Sequence, residues 1–443
     1  MEPAASNETI RAELTRIYRA AIDAADPARL VGRALDGALD GAEAIPSIVG
    51  AARRVFLLAI GKASLAMAAE IERRLGAKLT AGLVVAPEAN RASRALSRCE
   101  IVAGGHPLPD ANSEAAASRA LAMLAHLSSD DLVIAALSGG ASAMFAAPAE
   151  GITLADKIAV TTALLRSAAT IREINIVRKH LSRVKGGRLV QAACGARVLG
   201  LVLSDVPGND LATIASGLTA PDPATFADAI GVLKRHAIWG RAPEPVRDYL
   251  ERGNAGEARD TLKSADPAVK LVTNFIIGDN RTAADGAALA ASRAGYLVER
   301  WPDLAGEADD AGRALAQRLC ATAGERVCAI AGGELVVTVR GGGRGGRAQQ
   351  CALALAIELA RSAQQRNIAA LVAGTDGIDG PTDSAGAFAF PDTVARGAAA
   401  GASAETSLAR NDAYGFFEAA GGLFVTGPTG TNVADLFVAL ANF

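Results

Sequence analysis

The chain has 443 residues, half of them hydrophobic and only 4% aromatic, so it can bury more than one aliphatic core. A formal net charge of −2 argues against nucleic acid or an anionic membrane surface as partner. The five cysteines include no CxxC pair and the four histidines are dispersed, which argues against a zinc site and predicts reduced, mostly buried thiols.

The N-terminal stretch is amphipathic, with Ile10, Leu14, Ile17 and Ile22 at helical spacing. It lacks the basic region and apolar core of a signal peptide, and no apolar run reaches the roughly 18 residues of a membrane span. A cytoplasmic protein is expected.

Helices are predicted through 7–42. A buried strand VFLLAI (55–60) runs into Gly61-Lys62 and then a helix. Short strands follow at 82–86 and 101–103, then a helix over 112–127 capped by Asn112 or Ser113. Strand LVIAAL (132–137) ends in Ser138-Gly139-Gly140. Helical stretches are expected at 153–181 and 224–263, with strand RVLGLVLS (197–204) between them. The charged, alanine-rich stretch 252–270 marks a boundary, giving domains 1–262 and 263–443. The second series has strands at 271–277, 296–300, 326–332, 334–340, 368–374 and 433–440, with helices at 307–322 and 347–362. Apolar strand, glycine turn and helix alternate throughout. That pattern predicts an α/β protein with mainly parallel sheets covered on both faces, in two Rossmann-like α/β/α domains.

In such sheets ligands bind outside the carboxyl ends of the strands. Those exits carry Gly61-Lys62, Gly104-Gly105-His106, Ser138 to Ser142, Ser204-Asp205, Gly278-Asp279-Asn280, the loop GGGRGGR (341–347) and TDGIDGPTD (375–383).

The loop 341–347 has the makings of an anion nest. Gly343, Gly345 and Gly346 let backbone N–H groups converge, a helix starts near Arg347, and Arg344 and Arg347 add charge. The same string fits G-x-G-x-x-G, but no acidic residue closes the next strand as a nicotinamide site wants. No GxxxxGK[ST] stretch occurs, which excludes a P-loop kinase.

Lys62 stands at a helix start, where its charge opposes the dipole, and it suits a developing phosphoryl charge. Ser138, Gly139 and Gly140 form either a second nest or a tight packing turn. Asp376 is the candidate Mg²⁺ ligand, while Asp379 and Asp383 are turn caps or further ligands. Asp205 binds metal, binds a hydroxyl or caps a helix. His106 is a ligand contact or a structural residue. Arg178, Lys179, Arg183, Lys185 and Arg188 make either a solvated helix face or one more anion loop.

Seven motifs in order, GKA (61–63), GHPLPD (105–110), LSGGASA (137–143), NIVRKHLSRVKGGRL (175–189), LSDVPGND (203–210), GRGGRAQ (343–349) and GTDGIDGPTDSAG (374–386), resemble the glycerate 2-kinase family of the MOFRL-domain type. Some members of that family are labelled hydroxypyruvate reductase. The resemblance implies two α/β domains with the active site in the cleft between them. It also implies ATP- and Mg²⁺-dependent phosphorylation of D-glycerate to 2-phosphoglycerate. The family's lysine falls on Lys62 and its arginine on Arg347. Ala348 and Gln350 depart from the asparagine and acidic residue common there.

On this reading Lys62, Arg347 and Asp376 are catalytic, and Asp376 with Asp205 holds Mg²⁺. Gly61, Ser138, Gly139, Gly140, Asp205, Gly343, Arg344, Gly345 and Gly346 contact glycerate or the nucleotide. Partners are these small molecules, with a homodimer left open. The alternatives are an NAD(P)H-dependent hydroxypyruvate reductase and a non-catalytic nucleotide-binding regulator.

Overall fold

The computed structural model describes residues 6–88, 96–167, 169–362 and 366–443; residue 168 of the predicted 153–181 helical span lies outside them. The chain forms two compact units. One is Pro27–Ile277, and the other joins Met1–Asp26 to Gly278–Phe443. The composition places the boundary near 262, and the structure places it elsewhere for two reasons. The segment 272–277 is a strand of the first unit's sheet. The N-terminal helix Asn7–Ala24 buries Ile10, Leu14, Ile17 and Tyr18 within the second unit.

The first unit holds β1 (Arg54–Ile60), β2 (Leu79–Ala86), β3 (Cys99–Ala103), β4 (Asp131–Leu137), β5 (Arg197–Leu203) and β6 (Val272–Gly278), in the order β3-β2-β1-β4-β5-β6. The pairings from β3 through β5 are all parallel. Strands β1 and β4 are apolar at nearly every position because both faces are covered. On one face Leu58, Val133 and Val198 pack with Ala116, Ala120 and Leu124 of the helix Ala111–Leu124. That helix starts one residue earlier than its apolar pattern suggests. Asp110 is its N-cap, in a capping box with Ser113. The predicted 224–263 span divides into Phe226–Arg235 and Glu244–Asn254, which pack on Ile174 and Val177 as a separate helical cluster.

The second unit holds β7 (Leu297–Arg300), β8 (Val327–Gly333), β9 (Ile368–Gly374), β10 (Gly386–Ala389), β11 (Leu423–Phe424) and β12 (Asp435–Ala441), in the order β11-β10-β9-β12-β8-β7. Here the expectation of mainly parallel sheets fails. Among the described strands of this sheet only β7 and β8 pair parallel, and β12 lies antiparallel between β8 and β9. An apolar run shows that a strand is buried, not which way it runs. The stretch 334–340 is not a strand. Val336 makes one isolated bridge to Glu307, and Val339 is exposed. The helix Arg347–Ser362 is buried almost all round, with Ala352, Leu355 and Leu359 in the core beside Val372 and Phe437. No helix among the described residues is long and apolar enough to cross a membrane.

Candidate active site

In the first unit's sheet the strand order turns back between β1 and β4, the place where a crevice opens at the carboxyl ends of the strands. Gly61 follows β1 with φ +120°. A Cβ there would lie 2.8 Å from the Ser138 carbonyl carbon, so only glycine lets the two strand exits touch. The exits are laced together. The Lys62 N–H donates to Gly139 O (2.9 Å), the Ala63 N–H donates to Ser138 Oγ (3.0 Å), and the Ser138 N–H donates to Ile60 O (3.0 Å). Lys62 is half-buried and Ser138 buried. The His106 ring closes on the same turn, because a Cβ on Gly140 would come within 3.2 Å of His106 Cδ2. Asp205 sits half-buried just past β5, the neighbour of β4.

The basic segment 175–188 is not a solvated face. Lys179, Lys185 and Arg188 are buried, and only Arg183 is exposed. Lys179 pairs with Asp222 (3.3 Å), and Arg188 donates to the carbonyls of Lys179, Ser182 and Arg259. The Lys185 ammonium donates to Ser142 O (2.7 Å) and Ser142 Oγ (3.3 Å), bracing the loop that begins at Ser138.

In the second unit Asp435 opens β12 opposite Gly333 of β8 and Gly374 of β9. Its buried carboxylate receives Arg347 Nε (2.8 Å) and the Leu335 N–H (3.2 Å). Arg347 Nη1 reaches Glu334 Oε1 (2.6 Å). Burial pushes Asp435 up to about 6 although Arg347 opposes it. Burial also works against the Arg347 charge, but Asp435 and Glu334 outweigh it and hold its pKa above the ordinary value.

Asp376 stands half-buried past β9, its Oδ1 accepting the Ile378 N–H (3.2 Å). Asp379 is buried and accepts the N–H groups of Ala348 (3.1 Å) and Gln349 (2.7 Å), so a protein carboxylate occupies the helix start expected to hold phosphate. The glycine loop also spends amides internally. Arg340 and Gly341 donate to Asn411 Oδ1, Gly343 donates to Arg410 O, and Arg344 donates to Asp412 Oδ1. The Arg344 guanidinium lies over the Tyr414 ring at 4.5 Å. Gly345, with φ +152°, and Gly346 lie against the 379–380 and 413–414 segments.

Residues 13–251 match the model of a domain of unknown function, DUF4147, and residues 327–435 match the MOFRL family. Over 436 residues the chain is 38% identical to a glycerate 2-kinase of Pyrococcus horikoshii, covering 96% of both. The chain belongs to the glycerate 2-kinase family. A crystal structure of a glycerate kinase from Thermotoga maritima shares the fold at a TM-score of 0.84, with 36% identity over 98% of this chain and all of that one. A relative from Agrobacterium vitis, provisionally named a hydroxypyruvate reductase, is also 38% identical, over 96% of this chain and 93% of its own length.

Against this glycerate 2-kinase frame, Gly61, Lys62, Ser138, Gly139, Gly140 and Asp205 gather on consecutive strand ends of the first unit. Arg347 and Asp376 gather at one sheet end of the second. Sequence reasoning missed Glu334 and Asp435. An acid opening the otherwise apolar strand DLFVALA (435–441) was the available signal for Asp435. Gln350, one of the two departures from the family pattern, donates to Asp309 Oδ1 (2.8 Å) and Leu408 O (3.0 Å), away from the helix start.

No group of three or more potential metal ligands occurs among the described residues. Mg²⁺ usually takes one or two carboxylates and completes its shell with water and phosphate oxygens. A single half-buried acid at a strand end, such as Asp376 or Asp205, fits an ion that arrives with a nucleotide.

Asp379 gives a pH signature. Burial pushes it up to about 7, against its two backbone N–H donors. An acid raised above its unfolded value, about 4, contributes stability below that pH and loses it as pH rises through the folded value. Asp379→Asn cannot titrate. Its unfolding midpoint should therefore gain on that of the wild type between about pH 4 and 7. A difference between the two proteins that does not change with pH would exclude this role.

Proposed function

We propose that this protein is an ATP- and Mg²⁺-dependent glycerate kinase that phosphorylates D-glycerate to 2-phosphoglycerate. The observation that carries the reading is the match, over nearly the whole of both chains, to a relative named glycerate 2-kinase. The site chemistry agrees with it. Phosphoryl transfer asks the protein mainly for positioning and for charge aimed at the transferring oxygens.

Lys62 places an ammonium at the switch point, on a backbone locked by Ser138 and Gly139. Arg347 keeps its guanidinium oriented through Asp435 and Glu334, so its planar fork meets an oxyanion without first being ordered. Bound Mg²⁺ would neutralise nucleotide phosphate charge, held by Asp376 or Asp205. Whichever acid does not hold the ion orients the acceptor hydroxyl. The soluble, cytoplasmic setting and the small-molecule partners expected from composition belong to the same proposal.

A coupled assay of ADP release with D-glycerate and ATP tests this. The wild type should turn over, and Lys62→Ala should fall by about 100-fold or more, the scale of losing one preorganised charge partner. Turnover equal to wild type in Lys62→Ala would remove Lys62 from the chemistry.

The reductase reading has one observation in its favour, a dinucleotide-type strand order in the first sheet. Two others oppose it. The turn after β1 is Gly61-Lys62-Ala63, without the three spaced glycines. The G-x-G-x-x-G string at 341–346 follows no strand directly. NADH consumption with hydroxypyruvate, without glycerate-dependent ADP release, would favour the reductase. ATP binding without turnover would favour the regulator.

A further inference from the structure

Three cations of the first unit, Lys157, Arg178 and Lys185, lie near one another without a single carboxylate partner among the described residues. Lys157 Nζ donates to the carbonyls of Arg178 (3.0 Å) and Leu181 (2.9 Å). Among the described residues Lys185 Nζ donates only to Ser142. The Arg178 guanidinium is half-buried and makes no hydrogen bond or ion pair with the described residues.

A chain of hydrogen bonds joins these groups to the loop beside Lys62. Ser142 Oγ lies 2.6 Å from Ser216 Oγ, which donates to Asn175 Oδ1 (3.1 Å). Arg178 stands three residues after Asn175 on the helix Ile171–His180, hence on the same face. Ser142 and Arg178 are each half-buried, while Lys185, which joins Ser142 to this group, is fully buried. Ala215 and Ser216 hold positive φ (+52° and +56°), which turns Ser216 inward onto this network. Folding that leaves cations in a low-dielectric place without an acid is costly. Burial accordingly depresses the pKa of Lys185 and of Lys157, with Arg178 adding to both. A guanidinium cannot relieve the cost by losing its proton. An incoming oxyanion would.

We propose that Arg178, with the Lys185 ammonium near it, binds an oxyanion of the substrate pair, either the acceptor's carboxylate or a nucleotide phosphoryl oxygen. The identity of the anion rests on the kinase reading; the existence of the site does not. Lys185 is tied to Ser142, and Ser138 to Ser142 is one loop, the same loop whose Gly139 carbonyl accepts the Lys62 N–H.

The test compares wild type, Arg178→Gln and Arg178→Lys by titration calorimetry with glycerate, with ADP and with inorganic phosphate, alongside KM and kcat. Among the described residues Arg178 has no partner to lose, so Arg178→Lys should unfold at the wild-type midpoint and Arg178→Gln at or above it. A tenfold or larger weakening of glycerate in Arg178→Gln, with ADP unchanged and partial recovery in Arg178→Lys, would support the site and assign the carboxylate. The same loss confined to ADP and phosphate would support it and assign the phosphoryl group. Wild-type affinity for all three in Arg178→Gln would overturn it. If the wild type does not phosphorylate glycerate, the kinase reading fails. The binding comparison with phosphate still decides the oxyanion site.

Discussion

Arg347→Met should unfold about 3 kcal/mol more easily than wild type at pH 7 and lose nearly all turnover. Asp435 is almost fully buried, and its Oδ2 receives both Arg347 Nε and the Leu335 N–H. Removing the arginine leaves a buried carboxylate with one backbone donor, and breaking such a pair from one side costs about 3–5 kcal/mol. The lower figure applies because Arg347 is itself about one-third exposed and Asp435 can take up a proton.

The sign with pH follows. Asp435 already has a raised pKa of about 6, and without Arg347 it rises further. The deficit of Arg347→Met is therefore full at high pH and shrinks as pH falls through the range where Asp435 protonates. The double variant Arg347→Met/Asp435→Asn should recover most of the stability and none of the turnover. Denaturant unfolding at pH 5 and pH 8, alongside the ADP assay, separates the two roles. Wild-type stability in Arg347→Met would show that the pair does not hold this end of the sheet together. Turnover restored in the double variant would show that Arg347 serves only as a counter-ion.

Gly61→Ala should be nearly as damaging through a different cause. At φ +120° an alanine is strained by about 1–3 kcal/mol. Its methyl group would also overlap the Ser138 carbonyl and hydroxyl. The backbone must then move, and Lys62 is the next residue. A displacement of about 1 Å at a positioning residue can cost about 100-fold in rate. The expected result is a stability loss of about 2–4 kcal/mol together with at least a 100-fold loss of kcat. Adding Ser138→Gly should not rescue it, because the carbonyl remains. A Gly61→Ala protein with wild-type kcat and midpoint would mean that the two strand exits are not locked as described.

Lys62 is a candidate in the sequence because its charge stands at a helix start, against the dipole, at the exit of an apolar strand. Arg347 is a candidate from its place at the start of a helix, while its pairing with Asp435 and Glu334 shows only in the structure. The glycine loop was legible as a feature but misread in its detail. Glycines that admit an anion equally admit a neighbouring loop, and residues 410–412 accept the amides of Arg340, Gly341, Gly343 and Arg344. Asp379 was read as a turn cap or a metal ligand, and it caps a helix from a different loop. No local pattern reports which helix an aspartate will cap when the partners lie 30 residues away. The basic run 175–188 reads in the sequence as either a solvated face or one more anion loop. Burial of Lys179, Lys185 and Arg188 depends on what packs over them.

Local chemistry along the chain thus determined the α/β class, most of the strands with their exits, and the family, because each rests on apolar periodicity or short ordered motifs. Tertiary structure alone decided four things. It set the antiparallel course of β12, the capture of the N-terminal helix by the C-terminal unit, the pairing of Arg347 with Asp435, and the joining of Lys185 to Ser142. Each brings together groups distant in sequence. What decides each is burial, because apolar surface gains by leaving water and a charge that leaves it needs a partner, and a linear pattern records neither.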